Sequence, residues 1–231
     1  MSGRAIIAPL SFGDTSLPRI DITYVPEVPG AVADFAADQL PVGSLSSWRS
    51  QVGSTVLVAD GATTPQVVSD AGRRSVRFNG SVDRMQAVLS VPGAHTVLSV
   101  ARYRSTVGGE VVHWGASATE PSVVSTSGND NLGSSSGGRA LLPSPAVVPG
   151  TGWHVIAASF AGDNSALNVD GREYVGAIGD VARTRLILGF GPAASSYRTA
   201  IDYRRVAVIP GTMSAGDRAR LVAQMVAHYG V

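Results

Sequence analysis

The chain has 231 residues, with 18 basic and 17 acidic side chains and a formal net charge of +1. That balance excludes a dedicated nucleic-acid binder, which needs a basic stripe against phosphates, and a hydrophobic content of 44% excludes a disordered tail. Cysteine is absent, so disulfide frameworks, thiolate metal sites and cysteine nucleophiles are excluded together.

Every basic residue is arginine, the codon signature of a high-GC genome. With 27 Gly and 13 Pro, the composition suits many short strands joined by turns. The first apolar run, Ala5 to Leu10, is broken by Pro9 and is shorter than a signal-peptide core. No run approaches the ~18 apolar residues of a membrane helix. The expectation is a chain made in a host cytoplasm without a signal peptide, neither inserting in a membrane nor binding nucleic acid.

Residues 1–31 read as an extended proline-rich arm. Pro9, Pro18, Pro26 and Pro29 prevent a helix, and Ile20, Ile22 and Tyr24 alternate with polar neighbours as a strand does. Such a segment suits strand addition to a neighbouring subunit or to the chain's own body.

Residues 32–231 read as a sandwich closed by a helix over 214–229. Ser75 to Phe78 runs into Asn79-Gly80, a pair that tolerates positive φ and predicts a hairpin turn. In His95 to Tyr103, Thr96, Leu98 and Val100 face one way and Val97, Ala101 and Tyr103 the other, which predicts a strand covered on both sides. Glu110 to Trp114 is a further strand. Residues 115–150 carry little pattern, and Ser125 to Gly138 reads as a long surface loop or a loose hairpin. Trp153 to Phe160 turns at Gly162-Asp163-Asn164, returns as Ala166 to Val169, and turns again at Asp170-Gly171. Thr184 to Phe190 and Ala200 to Ile209 complete the strands, at the turn spacing of an antiparallel sandwich. Ser214 is placed to cap a helix whose apolar face is Leu221, Val222, Met225, Val226 and Tyr229, with Gly230 ending it.

Catalytic signatures are weak. Gly133 to Gly137 spells G-x-S-x-G around Ser135, but the motif needs a strained strand-to-helix turn and no helix follows. His95, His113, His154 and His228 lack the helical spacing of a zinc motif. The four glutamates, Glu27, Glu110, Glu120 and Glu173, share no strand face with a second acid, which argues against a glycosidase pair. Asn129, Asp130 and Asn131 offer oxygens suited to calcium without an EF-hand loop, so they read as a solvated turn and no cofactor is expected. Among the tryptophans, Trp153 begins an apolar strand and reads as core. Trp114, beside His113, is the better surface candidate for stacking on a sugar, with Asn129 to Asn131 as loop-end partners.

The motif order resembles the laminin-G-like, concanavalin-A-like jelly-roll domains found in phage virion and bacterial surface proteins. The resemblance runs over about residues 32–231. It is carried by Leu45 to Trp48, Gly53, Pro65, Ser75 to Gly80 with Asp83, His95 to Tyr103, Gly152-Trp153, Asn168 to Gly171, Ile187 to Gly189, and Met213 to Arg218 through His228-Tyr229-Gly230. The family usually has Asp where Asn79 stands. The resemblance implies an all-β fold of two antiparallel sheets. Its catalytic members carry an acid cluster that this chain lacks, so it implies binding or assembly rather than hydrolysis.

The expected function is a non-enzymatic virion protein of a phage with a high-GC actinobacterial host, a minor tail or capsid decoration protein that displays the jelly roll. Its expected partners are other virion proteins, itself as a homo-oligomer (a trimer) and a cell-surface glycan. A lectin module independent of a virion is the alternative reading, and a polysaccharide hydrolase ranks last.

Overall fold

Alternation in His95–Tyr103 builds a strand buried on both faces, and the rest of the molecule is arranged around it. The computed structural model describes residues 25–91, 93–104, 110–114, 122–126, 131–136, 139–141, 143, 151–179, 182–189 and 200–231. Among these residues it shows two antiparallel sheets packed face to face and one α-helix, a jelly-roll sandwich.

The first sheet runs, edge to edge, β15 (Arg172–Gly176), β14 (Ser165–Val169), β13 (His154–Phe160), β8 (His95–Tyr103), β17 (Ala200–Pro210), β6 (Arg73–Asn79), β5 (Gln66–Asp70) and β2 (Gly43–Ser44). Strand β1 (Ala33–Ala36) also pairs with β17, from Val208 back to Arg205, beyond the stretch that β6 occupies. The second sheet runs β12 (Arg139–Leu141), β11 (Asn131–Ser136), β10 (Ser122–Thr126), β9 (Glu110–Trp114), β16 (Arg183–Leu188), β7 (Met85–Val91), β4 (Val56–Ala59) and β3 (Ser47–Arg49).

The inner faces enclose the main core, with Phe35, Trp48, Leu57, Phe78, Met85 and Tyr203 all fully buried. Edge-to-face contacts join Phe35 to Trp48, centroids 5.7 Å apart, and Phe78 to Tyr203 at 5.4 Å, an arrangement worth about 0.5–1.5 kcal/mol beyond area burial. The Trp48 indole N–H donates to the Ala36 carbonyl at 3.2 Å, so its polar atom is also satisfied.

A second apolar layer lies on the outer face of the first sheet. Leu98 and Val100 of β8, with Val155, Ala157, Ala207 and Ile209, pack against Leu221, Val222, Met225 and Tyr229 of α1 (Ala215–Tyr229). This is why β8 is apolar on both sides: Val97, Ala101 and Tyr103 belong to the inner core and Leu98 and Val100 to the outer one. The helix begins as its sequence predicts, with the Ser214 hydroxyl accepting from the Asp217 amide at 3.1 Å, and ends at Gly230 with φ 67°.

Arginines hold both ends of the helix. At its start Arg218 makes a two-pronged contact to Glu173 of β15, at 2.8 and 2.9 Å. At its end Arg73 donates to the His228 carbonyl and Arg204 to the Tyr229 carbonyl. Cations at that end complement the negative pole of the helix dipole.

One turn differs from the sequence expectation. Asn79-Gly80 is not a hairpin, because β6 and β7 lie in different sheets and the segment crosses between them. The Asn79 side-chain oxygen accepts from the amides of Ser81, Val82 and Asp83, which turns the chain out of the first sheet. The two-residue hairpin lies earlier, at Ala71-Gly72 between β5 and β6, with φ 49° and 79°. Asp170-Gly171 does join β14 to β15, with φ 51° and 91°.

Within residues 115–150, β10 and β11 pair as a hairpin and β12 continues it, so the loose-hairpin alternative describes this stretch better than the loop. Residues 25–31 carry no strand, and Val28 packs against the helix layer. Ile20, Ile22 and Tyr24 lie outside the described residues.

Candidate ligand-binding face

The helix covers only part of the outer face of the first sheet, and beside it runs a row of polar side chains. The antiparallel registers place Gln66 opposite Arg77, Arg77 opposite Asp202, and Asp202 opposite Arg102, across β5, β6, β17 and β8. Directly opposed residues share a face of the sheet, so residues far apart in the chain become neighbours.

Asp202 is the centre of the row and is fully buried. Its carboxylate accepts from Arg77 Nε and Nη2, each at 3.0 Å, and from Arg102 Nε and Nη2, at 3.1 and 2.9 Å. Arg104 Nε stands farther off, at 4.0 Å. Arg102 also reaches outward, its Nη1 meeting Asp70 Oδ2 at 2.8 Å. Asp70 is the exposed acid of the group, at 45% of its full side-chain exposure. The hydrogen bonds to Asp202 hold the Arg77 pKa above its ordinary value, against the opposing effect of burial.

Trp153 leans over this row. The Arg102 guanidinium lies 4.8 Å from its ring centroid and that of Arg204 lies 4.0 Å away, within the range of cation–π attraction. A β-bulge between Tyr203 and Arg205 inserts Arg204 as an unpaired residue. Bulges re-aim side chains, and here Arg204 and Arg205 both contact the helix, through the Tyr229 carbonyl and Met225 Sδ. Burial pushes the Arg204 pKa down, and the neighbouring Arg73 and Arg102 charges push the same way. Arg73, Arg77, Arg102, Arg104 and Arg204 thus outnumber the Asp38, Asp70 and Asp202 carboxylates around them. The face carries a local excess of positive charge that the chain's near-neutral total conceals.

The residues singled out in the sequence lie elsewhere. Trp114 ends β9 opposite Leu186 in the second sheet, one position beyond the pairing of His113 with Ser122. Asn131 begins β11 opposite Thr126, at the other end of β10. The length of β10, about 13 Å at ~3.3 Å per residue, separates them, so the backbone does not gather Trp114 and Asn131 into one loop end. Asn129 and Asp130 lie outside the described residues.

The expectation for Trp153 needs amending. It packs on the edge of the helix layer and remains half-buried, with two guanidinium groups as ring contacts. The period-two spacing of Arg102 and Arg104 on one strand, and of Arg73, Ser75 and Arg77 on another, was the available sign of a polar face. What linear spacing lacks is the register that joins those strands.

Ser135, the centre of the G-x-S-x-G match, is a ladder residue paired with Ser122 on one side and Ala140 on the other. It sits on no strand-to-helix elbow. Glu173 is engaged by Arg218, which lowers its pKa. Among the described residues no group of three or more His, Asp and Glu side chains is arranged to hold a metal ion.

No family model matches the chain and no curated protein matches it. The fold does have solved counterparts. The binding domain of botulinum neurotoxin serotype D/C superposes with a TM-score of 0.65 at 7% identity, over 85% of this chain and 52% of that one. A botulinum neurotoxin type C structure, described by cell entry that depends on interaction with two ganglioside molecules, gives 0.64 at 9% identity over 85% and 51%. A mutant Trypanosoma rangeli sialidase displaying trans-sialidase activity gives 0.62 at 10% identity, over 86% and 33%. The chain therefore spans about half the length of the toxin domains and a third of the sialidase. At such identities the likeness shows a shared β-sandwich fold.

Proposed function

We propose that this chain is a non-catalytic, lectin-like binding module, carried on a phage virion as a minor tail or capsid decoration protein and contacting glycans of the host surface. The observation that carries the binding reading is the partly exposed Arg–Asp–Trp row on the outer face of the first sheet. It combines donors held in fixed orientation by a buried carboxylate with an aromatic ring, the pairing of polar and apolar groups that sugar recognition uses. The fold likeness to toxin binding domains, one of them described by ganglioside interaction, supports the same reading by analogy. The virion placement rests on the jelly-roll resemblance and on the proline-rich arm, which is suited to lie along a particle or a sister subunit.

Two measurements test the two layers separately. The purified full chain is applied to an array of neutral and acidic glycans, and saturable binding that falls on Trp153→Ala is expected. An array without a single saturable ligand would sink the lectin reading. The full chain and a version lacking residues 1–31 are then incubated with undecorated particles and sedimented. Co-sedimentation of the full chain alone is expected, and an inert monomer in both cases removes the virion.

A further inference from the structure

We infer that the outer end of the polar row is a receptor site for a carboxylate-bearing sugar, in which Asp70 occupies the place that the ligand's carboxylate takes. This deepens the lectin-like reading and rests on it.

The two carboxylates of the row differ in kind. Asp202 is fully buried and accepts from both Arg77 and Arg102. Removing it would strand those guanidinium groups against the sheet, so it belongs to the framework. Asp70 is nearly half exposed and meets Arg102 through Nη1 alone, at 2.8 Å. With one partner open to water, the pair is held weakly, so a competing carboxylate displaces Asp70 at little cost. The Nε and Nη2 contacts to Asp202 meanwhile hold the Arg102 plane still. Its remaining edge is presented to solvent already oriented, which lowers the entropy lost on binding.

The surroundings favour an anion. Asp70 is the exposed negative charge felt by both Arg77 and Arg204. Arg104, two residues along from Arg102 and 40% exposed, has donors left for a second polar group of the ligand. The guanidinium fork matches a planar carboxylate two donors at a time, and the row already binds two such groups in Asp70 and Asp202. Trp153, held beside Arg102 at 4.8 Å and partly exposed, adds apolar surface next to that edge. Together these features define an acidic sugar: a carboxylate for Arg102, a further polar group for Arg104, and a pyranose body beside Trp153.

The test is titration calorimetry on the full chain with 3′-sialyllactose and a glucuronic acid oligosaccharide, alongside lactose and inorganic sulfate. The variants are Asp70→Asn and Arg104→Gln, both exposed positions outside the buried Asp202 contacts, with unfolding temperature recorded for each. The expected result is that at least one acidic sugar binds, that Asp70→Asn tightens it by about 3- to 10-fold and that Arg104→Gln weakens it by at least about 10-fold. Lactose should bind more weakly than the acidic sugar and be indifferent to both variants. If neutral sugars bind as well as acidic ones and neither variant changes affinity, this inference fails while the lectin reading stands. Sulfate competing as strongly as the sugars would also overturn it, as a general anion site. If no sugar binds here or on the wider glycan array, both readings fail.

Discussion

Arg205 donates two hydrogen bonds to Asp34 beneath the helix, Nε to Oδ1 at 2.8 Å and Nη2 to Oδ2 at 2.5 Å, with both side chains almost fully buried. Burial opposes the Arg205 charge, yet the contacts to Asp34 hold its pKa above the ordinary value. The pair ties β1 to β17 at the point where Met225 presses on the sheet from above.

Breaking this pair leaves one buried charge alone, which costs about 3–5 kcal/mol. Asp34→Ala should therefore lower the melting temperature by roughly 10 °C, at about 2–4 °C per kcal/mol for a chain of this size. The double variant Asp34→Leu with Arg205→Met should recover most of that loss, since apolar replacements fill the space without an orphan charge. Urea unfolding of the three proteins decides it. A single variant within about 1 kcal/mol of the parent would mean that water reaches the pair.

The helix docking should weaken on acidification in two steps. Burial lowers the His228 pKa below its reference of 6.5, and Arg218 lowers that of Glu173 below 4.5. For both groups the folded pKa is the lower one, so the unfolded chain binds more protons and stability falls as the pH is lowered. The His228 part is complete above pH 6.5 and is lost as pH drops through its folded value, and the Glu173 part follows below pH 4.5. Thermal melts from pH 8 to pH 3 should show His228→Phe flattening the upper step and Glu173→Gln the lower. A profile unchanged by either substitution would rule out this account.

Gly189 sits where β16 leaves the sheet, with φ 98°, and a Cβ there would stand 2.4 Å from Phe78 Cδ1 and 2.5 Å from the Asp83 carbonyl. Gly189→Ala combines an unfavourable backbone region with overpacking of a buried aromatic, about 2–4 kcal/mol together. By contrast Gly72→Ala, where nothing lies within 4 Å, carries the backbone strain alone. Comparing the two by chemical denaturation separates strain from crowding, and equal losses would show that crowding adds nothing.

The Ser214 cap should contribute modestly. Ser214→Ala removes the acceptor for the Asp217 amide at the exposed start of α1, a change worth about 1 kcal/mol. Ser214→Asp should keep most of it by supplying another acceptor at a helix N-terminus. Amide exchange at the first helical turn reads this directly, and protection that stays the same in the alanine variant would contradict the capping role.

The elements were legible in the sequence because their signals are local. Two-faced apolarity in His95 to Tyr103, positive-φ chemistry at Asp170-Gly171, and Ser214 to Gly230 as cap, stripe and stop each depend on a few adjacent residues. They foretold β8, the β14–β15 hairpin and α1. The same local reasoning misassigned Asn79-Gly80, since Asn79 serves equally in a hairpin and in a crossover. The choice was made by the pairing of β7 with β16, some 100 residues later in the chain.

The candidate site was less legible for the same reason. Linear spacing gave Arg102 and Asp202 no relationship, and it favoured Trp114 over Trp153 on the strength of a neighbouring histidine. The tertiary structure decided the matter through strand register, which sets Arg77, Asp202 and Arg102 in one row, and through the bulge at Arg204, which brings a further cation against Trp153. Composition and periodicity determine which segments become strands and which faces are apolar. Partners across a sheet are chosen by the whole core packing at once, and that choice placed the charges.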